Sequence, residues 1–144
     1  MSIGAQFLCQ DFEECMASVR KAEEAGYAYA WFIDSQILWQ DVYVYIAAGL
    51  DRTDRIVFGT AVTNPWTRHV TVTASTFATL AQLHPGRLIL GIGRGDSALR
   101  TMGMNPVPTK LLRESIPTLR APSVVTVPEL VMSSALWRSL KSAR

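Results

Sequence analysis

The sequence predicts an α/β protein built on a parallel sheet. Three observations carry this. Apolar runs alternate with amphipathic segments three times and end on a fourth apolar run. Successive runs begin about 26–32 residues apart, the length of a strand, a helix and two short turns. The runs are also nearly continuous in apolar residues rather than alternating, as in strands covered on both faces. Parallel crossovers are right-handed, so two architectures remain at this point: a doubly wound open sheet and a (β/α)8 barrel.

The elements follow in order. Ser2 to Phe7 is a short first strand with Gly4 inside it. Asp11 caps a helix through Ala25, with Phe12, Cys15, Met16, Val19 and Ala22 at spacings of three and four. Glu13 and Glu14 lie in its first turn, where they complement the helix dipole, and Gly26 is placed to end it in the left-handed conformation. Tyr29 to Ile33 is the second strand, ended by Asp34. Asp41 begins a helix from Val42 to about Leu50, Ile56 to Ala61 is the third strand, and Thr63 to Arg68 is a loop. Val70 to Leu83 is a third helix, His84-Pro85-Gly86 a turn, and Arg87 to Gly93 the fourth strand, followed by a glycine-rich loop through Asp96. After Leu112 the pattern degrades: Leu111, Leu112, Ile116 and Leu119 share a helical face, but Pro117 interrupts it. Nothing in the remaining residues continues the alternation of strand and helix.

Hydrophobic residues make up 49% and charged residues 18% of 144, which excludes a disordered tail, a collagen-like repeat and a coiled coil. A net charge of +2 is too small to imply a nucleic-acid or anionic-membrane partner. That charge is uneven. Residues 1–119 hold 10 basic and 11 acidic side chains, whereas residues 120–144 hold 4 and 1. Cys9 and Cys15 stand six apart, a spacing that matches no zinc signature, and only His69 and His84 could add imidazole, so no metal site is expected. No apolar stretch reaches the ~18–20 residues that span a bilayer, and the N-terminus lacks a signal-peptide pattern. The expectation is a cytoplasmic protein.

In parallel α/β architectures, ligands bind beyond the carboxyl ends of the strands. Four segments occupy that place: Leu8–Gln10, Asp34–Trp39, Val62–Arg68 and Arg94–Leu99. Asp34 can accept hydrogen bonds from a cofactor ring or serve as an ordinary cap. Trp39 can cover a flat ring or pack in the core. The exit of the third strand at Ala61, Val62, Thr63 and Asn64 can present backbone to a ligand. Gly91-Ile92-Gly93-Arg94-Gly95-Asp96 fails the dinucleotide fingerprint because its sixth position is Asp96 and because it follows the fourth strand rather than the first. Nucleophile-elbow, phosphate-loop and zinc-protease motifs are absent from the sequence.

Taken together, certain segments resemble the luciferase-like monooxygenase superfamily. They are Ala22-Glu23-Glu24-Ala25-Gly26-Tyr27, Trp31-Phe32-Ile33-Asp34-Ser35-Gln36, Gly59 to Pro65 with Arg68-His69, Pro85-Gly86-Arg87 and Leu90 to Ser97. The nearest branch looks like the F420-dependent reductases similar to methylenetetrahydromethanopterin reductase. The resemblance covers about residues 3–116. It implies a (β/α)8 barrel that holds coenzyme F420, or alternatively FMN, at the carboxyl end of its strands, with a small-molecule substrate. It implies that Asp34 contacts the deazaflavin, and that Ser35 stands where relatives often carry a catalytic histidine. It places Trp39 on the substrate side and Arg94 and Gly95 beside the ring. Asp96 falls where some relatives hold a carboxylate acid. It also puts a non-prolyl cis peptide at Ala61–Val62, as a backstop that bends the ring. Asp34, Ser35 and Asp96 are thus the implied catalytic residues, and Asp34, Ala61, Val62, Thr63, Asn64, Arg94 and Gly95 the implied cofactor contacts.

A full barrel needs roughly 250 residues. The chain is therefore expected to be the truncated N-terminal half: a partial barrel domain over 1–119, and a divergent basic tail over 120–144, irregular, out of frame or disordered. The cofactor phosphate in such barrels sits after the seventh and eighth strands, outside this half. The functional expectation is an oxidoreductase acting by hydride transfer or monooxygenation. The alternatives are a non-enzymatic remnant that associates through exposed sheet edges, as a homo-oligomer or with a partner half, and a Rossmann-like nucleotide binder, disfavoured by the failed fingerprint.

Overall fold

A computed structural model describes residues 2–120 and 130–132. Strands β1 (Gly4–Phe7), β2 (Tyr29–Phe32), β3 (Val57–Thr60) and β4 (Leu88–Ile92) are joined through helices α1 (Phe12–Glu24), α2 (Val42–Asp51) and α3 (Val70–Leu83). The strands lie side by side in chain order, and every pair is parallel. Gly4 faces Tyr29, Tyr29 faces Val57, and Phe58 faces Leu88. A doubly wound sheet reverses its strand order at a switch point; this sheet does not, so of the two architectures the barrel type is the one present.

Local chemistry explains the boundaries. Asp11 caps α1 by accepting the Glu14 N–H at 2.8 Å, and Gly26 follows at φ 85°. Asp41 caps α2 through the N–H groups of Tyr43 and Val44. Helix α3 has the bounds expected from the sequence, beginning after His69 and ending before the His84-Pro85-Gly86 turn.

The helices cover one face of the sheet. Phe7, Phe32 and Phe58 stack across three strands with ring centroids 5.6 and 5.8 Å apart. They join Met16 and Val19 of α1, Ile46 and Leu50 of α2 and Phe77 of α3 in a single core. The opposite face is more open than continuous apolar runs suggested. Tyr29 and Trp31 are only half-buried, and Trp31 lies across the bare backbone of Gly4 and Gly59. In a barrel this second face lines the interior rather than packing on helices, so an apolar run does not require helices on both sides.

Two cross-links hold the ends opposite the site. Glu23 accepts backbone N–H groups from Asp54, Arg55 and Ile56 at 3.1, 2.6 and 2.8 Å. The Arg87 guanidinium donates to the carbonyls of Leu50, Thr53 and Ile56 and to the Thr53 hydroxyl at 2.6–3.2 Å. Two of the family-like motifs, around Glu23 and Arg87, thus act as structural ties.

Beyond β4 lie α4 (Asp96–Thr101), α5 (Thr109–Leu119) and a short strand β5 (Leu130–Met132), whose residues pair in parallel with Leu90 to Ile92. The expectation that the alternation stops after Leu112 is therefore corrected at this strand. Pro117 does not break α5, because it sits two residues from the helix end and removes one hydrogen bond from the final turn. A three-residue strand is too short to show periodicity. The rest of the expected tail, 121–129 and 133–144, lies outside the described residues.

Candidate functional site

Asp34 leaves the end of β2 and turns into the protein, where it is 6% exposed. Its Oδ2 accepts from the Thr63 hydroxyl at 2.6 Å, and its Oδ1 accepts from Gln36 Nε2 at 2.6 Å. The Thr63 hydroxyl lies 2.7 Å from that of Tyr43. Burial pushes the Asp34 carboxyl above its ordinary value of 3.8, helped by the negative charge of Asp41; the Thr63 and Gln36 hydrogen bonds and the charge of Arg68 offset part of this. Arg68 pairs with Asp41, and its guanidinium carbon sits 4.3 Å from the Tyr43 ring centroid.

The β4 exit supplies the other wall. Thr63 N–H donates to Gly91 O at 2.9 Å and Gly93 N–H to Thr63 O at 2.8 Å, so β3 and β4 stay paired beyond their ends. Arg94 Nε donates to Val107 O at 2.7 Å, which fastens the loop before α5. Gly95 adopts φ 73°, and a Cβ there would stand 2.8 Å from Asn64 Cγ. Only glycine accommodates both the left-handed backbone and this close approach. Asp96 opens α4, largely exposed, 3.8 Å from Arg100. Ser97 meets Ser35 at 2.9 Å, a hydrogen bond that ties the β2 exit to α4.

Between Asp34, the Ala61–Val62 peptide and Gly93–Ser97 lies a cleft of about 210 Å³. The Ala61–Val62 peptide is cis, at the position implied by the resemblance. The same two residues border a second hollow of about 380 Å³ on the inner face of the sheet, beside Gln6, Trp31 and Gly91. A larger hollow, about 410 Å³, lies elsewhere, between Pro65–Val70 and α5. It is mostly apolar and holds none of the residues singled out for chemistry.

Of the residues expected at the site, Asp34, Ala61, Val62, Arg94, Gly95 and Asp96 line the smaller cleft together. Ser35 is buried behind it on Ser97. Thr63 is fully buried, with its hydroxyl committed to Asp34 and Tyr43, so it supports the carboxylate from beneath. Asn64 is also buried; its Oδ1 accepts the N–H groups of Trp66 and Thr67, while its Nδ2 has no partner among the described residues. Trp39 packs against the core and borders neither hollow, although its backbone N–H donates to Ser35 O at 3.0 Å. Sequence reasoning missed Tyr43, and it quoted Gln36 and Ser97 within motifs without giving either a role. Tyr43 reads as an ordinary core position of α2, and nothing in its spacing signals a hydroxyl partner across the fold. Cys9 and Cys15 are buried free thiols. Among the described residues no helix is long and apolar enough to cross a membrane, and no three His, Cys, Asp or Glu side chains gather as metal ligands.

A family model described as luciferase-like monooxygenase matches residues 2–121. The chain belongs to this family. A curated member, 5,10-methylenetetrahydromethanopterin reductase of Methanopyrus kandleri, is 38% identical over 113 residues, which span 77% of this chain and 32% of that protein. The solved structure of the coenzyme F420 dependent tetrahydromethanopterin reductase from the same organism superposes with a TM-score of 0.69 at 31% identity, over 80% of this chain and 38% of that one. An FMN complex of a type II Baeyer–Villiger monooxygenase from Pseudomonas putida shares the fold, with a TM-score of 0.71 at 22% identity over 83% and 38% of the two chains. The chain thus spans about a third of the length of the curated relative just named. The luciferase-like chain carries the N-terminal strands of the barrel and the cleft at their carboxyl ends.

The residues present fit the edge of a flat, flavin-type ring. Asp34 offers acceptors, Gly93 and Gly95 offer backbone without side chains, and the two hollows meet at Ala61–Val62. A cleft of about 210 Å³ is smaller than the ~300–1,000 Å³ of a complete cofactor site, so it accommodates part of such a group.

Proposed function

We propose that this chain forms the ring-side part of an oxidoreductase site that uses reduced F420, or alternatively FMN, on a small-molecule substrate. The observation that carries the reading is the convergence of a buried carboxylate that accepts two hydrogen bonds, the Ala61–Val62 peptide and the bare backbone of Gly93 and Gly95 at the carboxyl ends of β2, β3 and β4. When bound, such a cofactor supplies the hydride or electron pair, so the protein needs little acid–base equipment of its own. The chain's residues would then position and shield. Asp34 accepts from a ring donor, Ala61 and Val62 back the ring, and Arg94 and Gly95 flank it. Asp96 is the carboxylate at the mouth with access to solvent protons. Ser35 and Asn64 hold the loops in place. Trp39 contributes through packing against the core and its backbone bond to Ser35, and its assignment to the substrate side has no support from either hollow. The name of the Methanopyrus kandleri structure favours F420 over FMN.

The second reading is an association module, cytoplasmic like the first. It draws on the open inner face around Trp31 and the outer edge of β1, unpaired among the described residues, through which a homo-oligomer or a complementary half would join. We further propose 1–119 as the family-like domain and 120–144 as a separate basic segment, in keeping with a family match that ends at residue 121. Aligning the other reading frames of the gene tests that division, and barrel sequence in another frame supports it. For the site, titration of the purified chain with F420 and with FMN, followed by absorbance and fluorescence, is decisive. Saturable binding of F420, weakened at least tenfold in Asp34→Asn, supports the enzyme reading. Oligomers on size exclusion with no spectral change for either cofactor support the association module instead.

A further inference from the structure

Arg68 and Tyr43 have no part in the cleft, yet both converge on the back of Asp34. The Tyr43 and Thr63 hydroxyls and the Asp34 carboxylate stand in series, 2.7 and 2.6 Å apart. Each hydroxyl has one proton, and an ionised carboxylate has none. Thr63 spends its proton on Asp34 Oδ2, so the proton between Tyr43 and Thr63 belongs to Tyr43. Both hydroxyl residues are buried, and burial pushes the phenol up to about 12, so Tyr43 remains a donor throughout the working pH range. Over its ring face lies Arg68, held by Asp41, which also caps the helix that carries Tyr43. A cation at this position strengthens phenolic donation.

We propose that Arg68, Tyr43 and Thr63 are positioning residues: a one-way hydroxyl relay that clamps Asp34 Oδ2 as an acceptor and leaves Oδ1 as the oxygen that takes up and releases a proton. The inference rests on the reading of Asp34 as a cofactor contact. Oδ1 faces the Gln36 amide, whose other end, Oε1, is buried without a partner among the described residues. Turning that amide would let Oε1 accept from a protonated Oδ1, so either state of the carboxyl finds a partner there while the relay stays intact. Thr63 therefore belongs to the charge control of the site rather than to its cofactor surface. The other charged or titratable groups facing Asp34 are Asp41 and Arg68, with Cys9 behind it and Arg94 and Asp96 across the cleft.

The test needs no cofactor, so it remains informative even if neither F420 nor FMN binds. Carbon-13 carboxyl NMR of the aspartate-labelled chain, with the Asp34 signal assigned through Asp34→Asn, reads the Asp34 titration directly. Thr63→Val removes a hydrogen bond to the charged form and is expected to raise the midpoint by about one to two pH units. Thr63→Ser should restore it. Tyr43→Phe and Arg68→Met keep the Thr63 bond but weaken its donor, and should each raise the midpoint by roughly a few tenths of a unit. Circular dichroism of each variant shows whether it is folded, and Tyr43→Phe, the mildest change, serves if Thr63→Val does not fold. A Tyr43→Phe or Thr63→Val midpoint equal to or below that of the parent overturns the relay.

Discussion

Gly95 and Gly26 make a matched pair for testing how tightly the cleft wall is built. Both hold left-handed backbone, at φ 73° and 85°. They differ in what an added Cβ would meet. At Gly26 there is nothing within 4 Å, whereas at Gly95 it would stand 2.8 and 2.9 Å from Asn64 Cγ and Cβ. Gly26→Ala should therefore cost only the backbone term, about 1–2 kcal/mol. Gly95→Ala carries the same term and also displaces the Asn64 side chain. That side chain cannot yield freely, because its Oδ1 accepts the N–H groups of Trp66 and Thr67 at 3.0 and 2.9 Å. Two such bonds at ~0.5–1.5 kcal/mol each add roughly 1–3 kcal/mol, for a total of about 2–5. Urea denaturation measures both variants, read as a lower midpoint at unchanged slope. In the Asn64→Gly background, Gly95→Ala should fall back to the cost of Gly26→Ala, since both obstructing carbons are gone. Equal losses for the two alanine variants in the parent background, within about 0.5 kcal/mol, would refute the reasoning.

Three further outcomes are expected. Arg87→Ala removes the donor shared by three carbonyls and a hydroxyl and should cost about 2–4 kcal/mol in urea unfolding, with Arg87→Lys recovering less than half because an ammonium lacks the planar fork. Burial of Glu23 works upward on its carboxyl, but the backbone N–H groups of Ile56, Arg55 and Asp54 and the charge of Arg55 outweigh it and bring it below 4.5; its stabilisation is therefore present above pH ~4.5 and lost as pH falls through the lowered value, so the stability gap between the parent and Glu23→Gln should narrow below that pH in chemical denaturation. Burial raises the Cys9 and Cys15 thiols to about 12 and about 11, so at pH 8 a disulfide reagent should label both only as fast as the protein opens.

What was legible in the sequence was whatever depends on short-range pattern. The bounds of α3 followed from the His84-Pro85-Gly86 turn, and α1 followed from the Asp11 cap and Gly26. The cleft was legible in part, because in a parallel sheet the strand exits are known once the strands are. Side-chain direction at those exits was not. Thr63 and Ala61 are two residues apart on one exit, yet one supports Asp34 from beneath and the other borders the cleft. Partners contributed from far along the chain, such as Tyr43 to Thr63 or Ser97 to Ser35, leave no spacing to detect. Arg68 was visible as part of a motif, but its place over a tyrosine ring is a fact of packing. Pro117 and β5 mark the opposite error: one unfavourable residue and one very short strand hid a helix–strand unit that tertiary contacts sustain.

The central claim is that the ring of F420 or a flavin seats where β2, β3 and β4 end. Amide chemical-shift mapping of the nitrogen-15-labelled chain during titration with F420, and in parallel with FMN, tests it most directly. The account predicts saturable shifts confined to Asp34–Gln36, Ala61–Asn64 and Gly93–Ser97, with the midpoint at least tenfold higher in Asp34→Asn. Shifts centred instead on Trp66, His69 and Leu111, beside the larger hollow, or no saturable shifts with either cofactor, would contradict it.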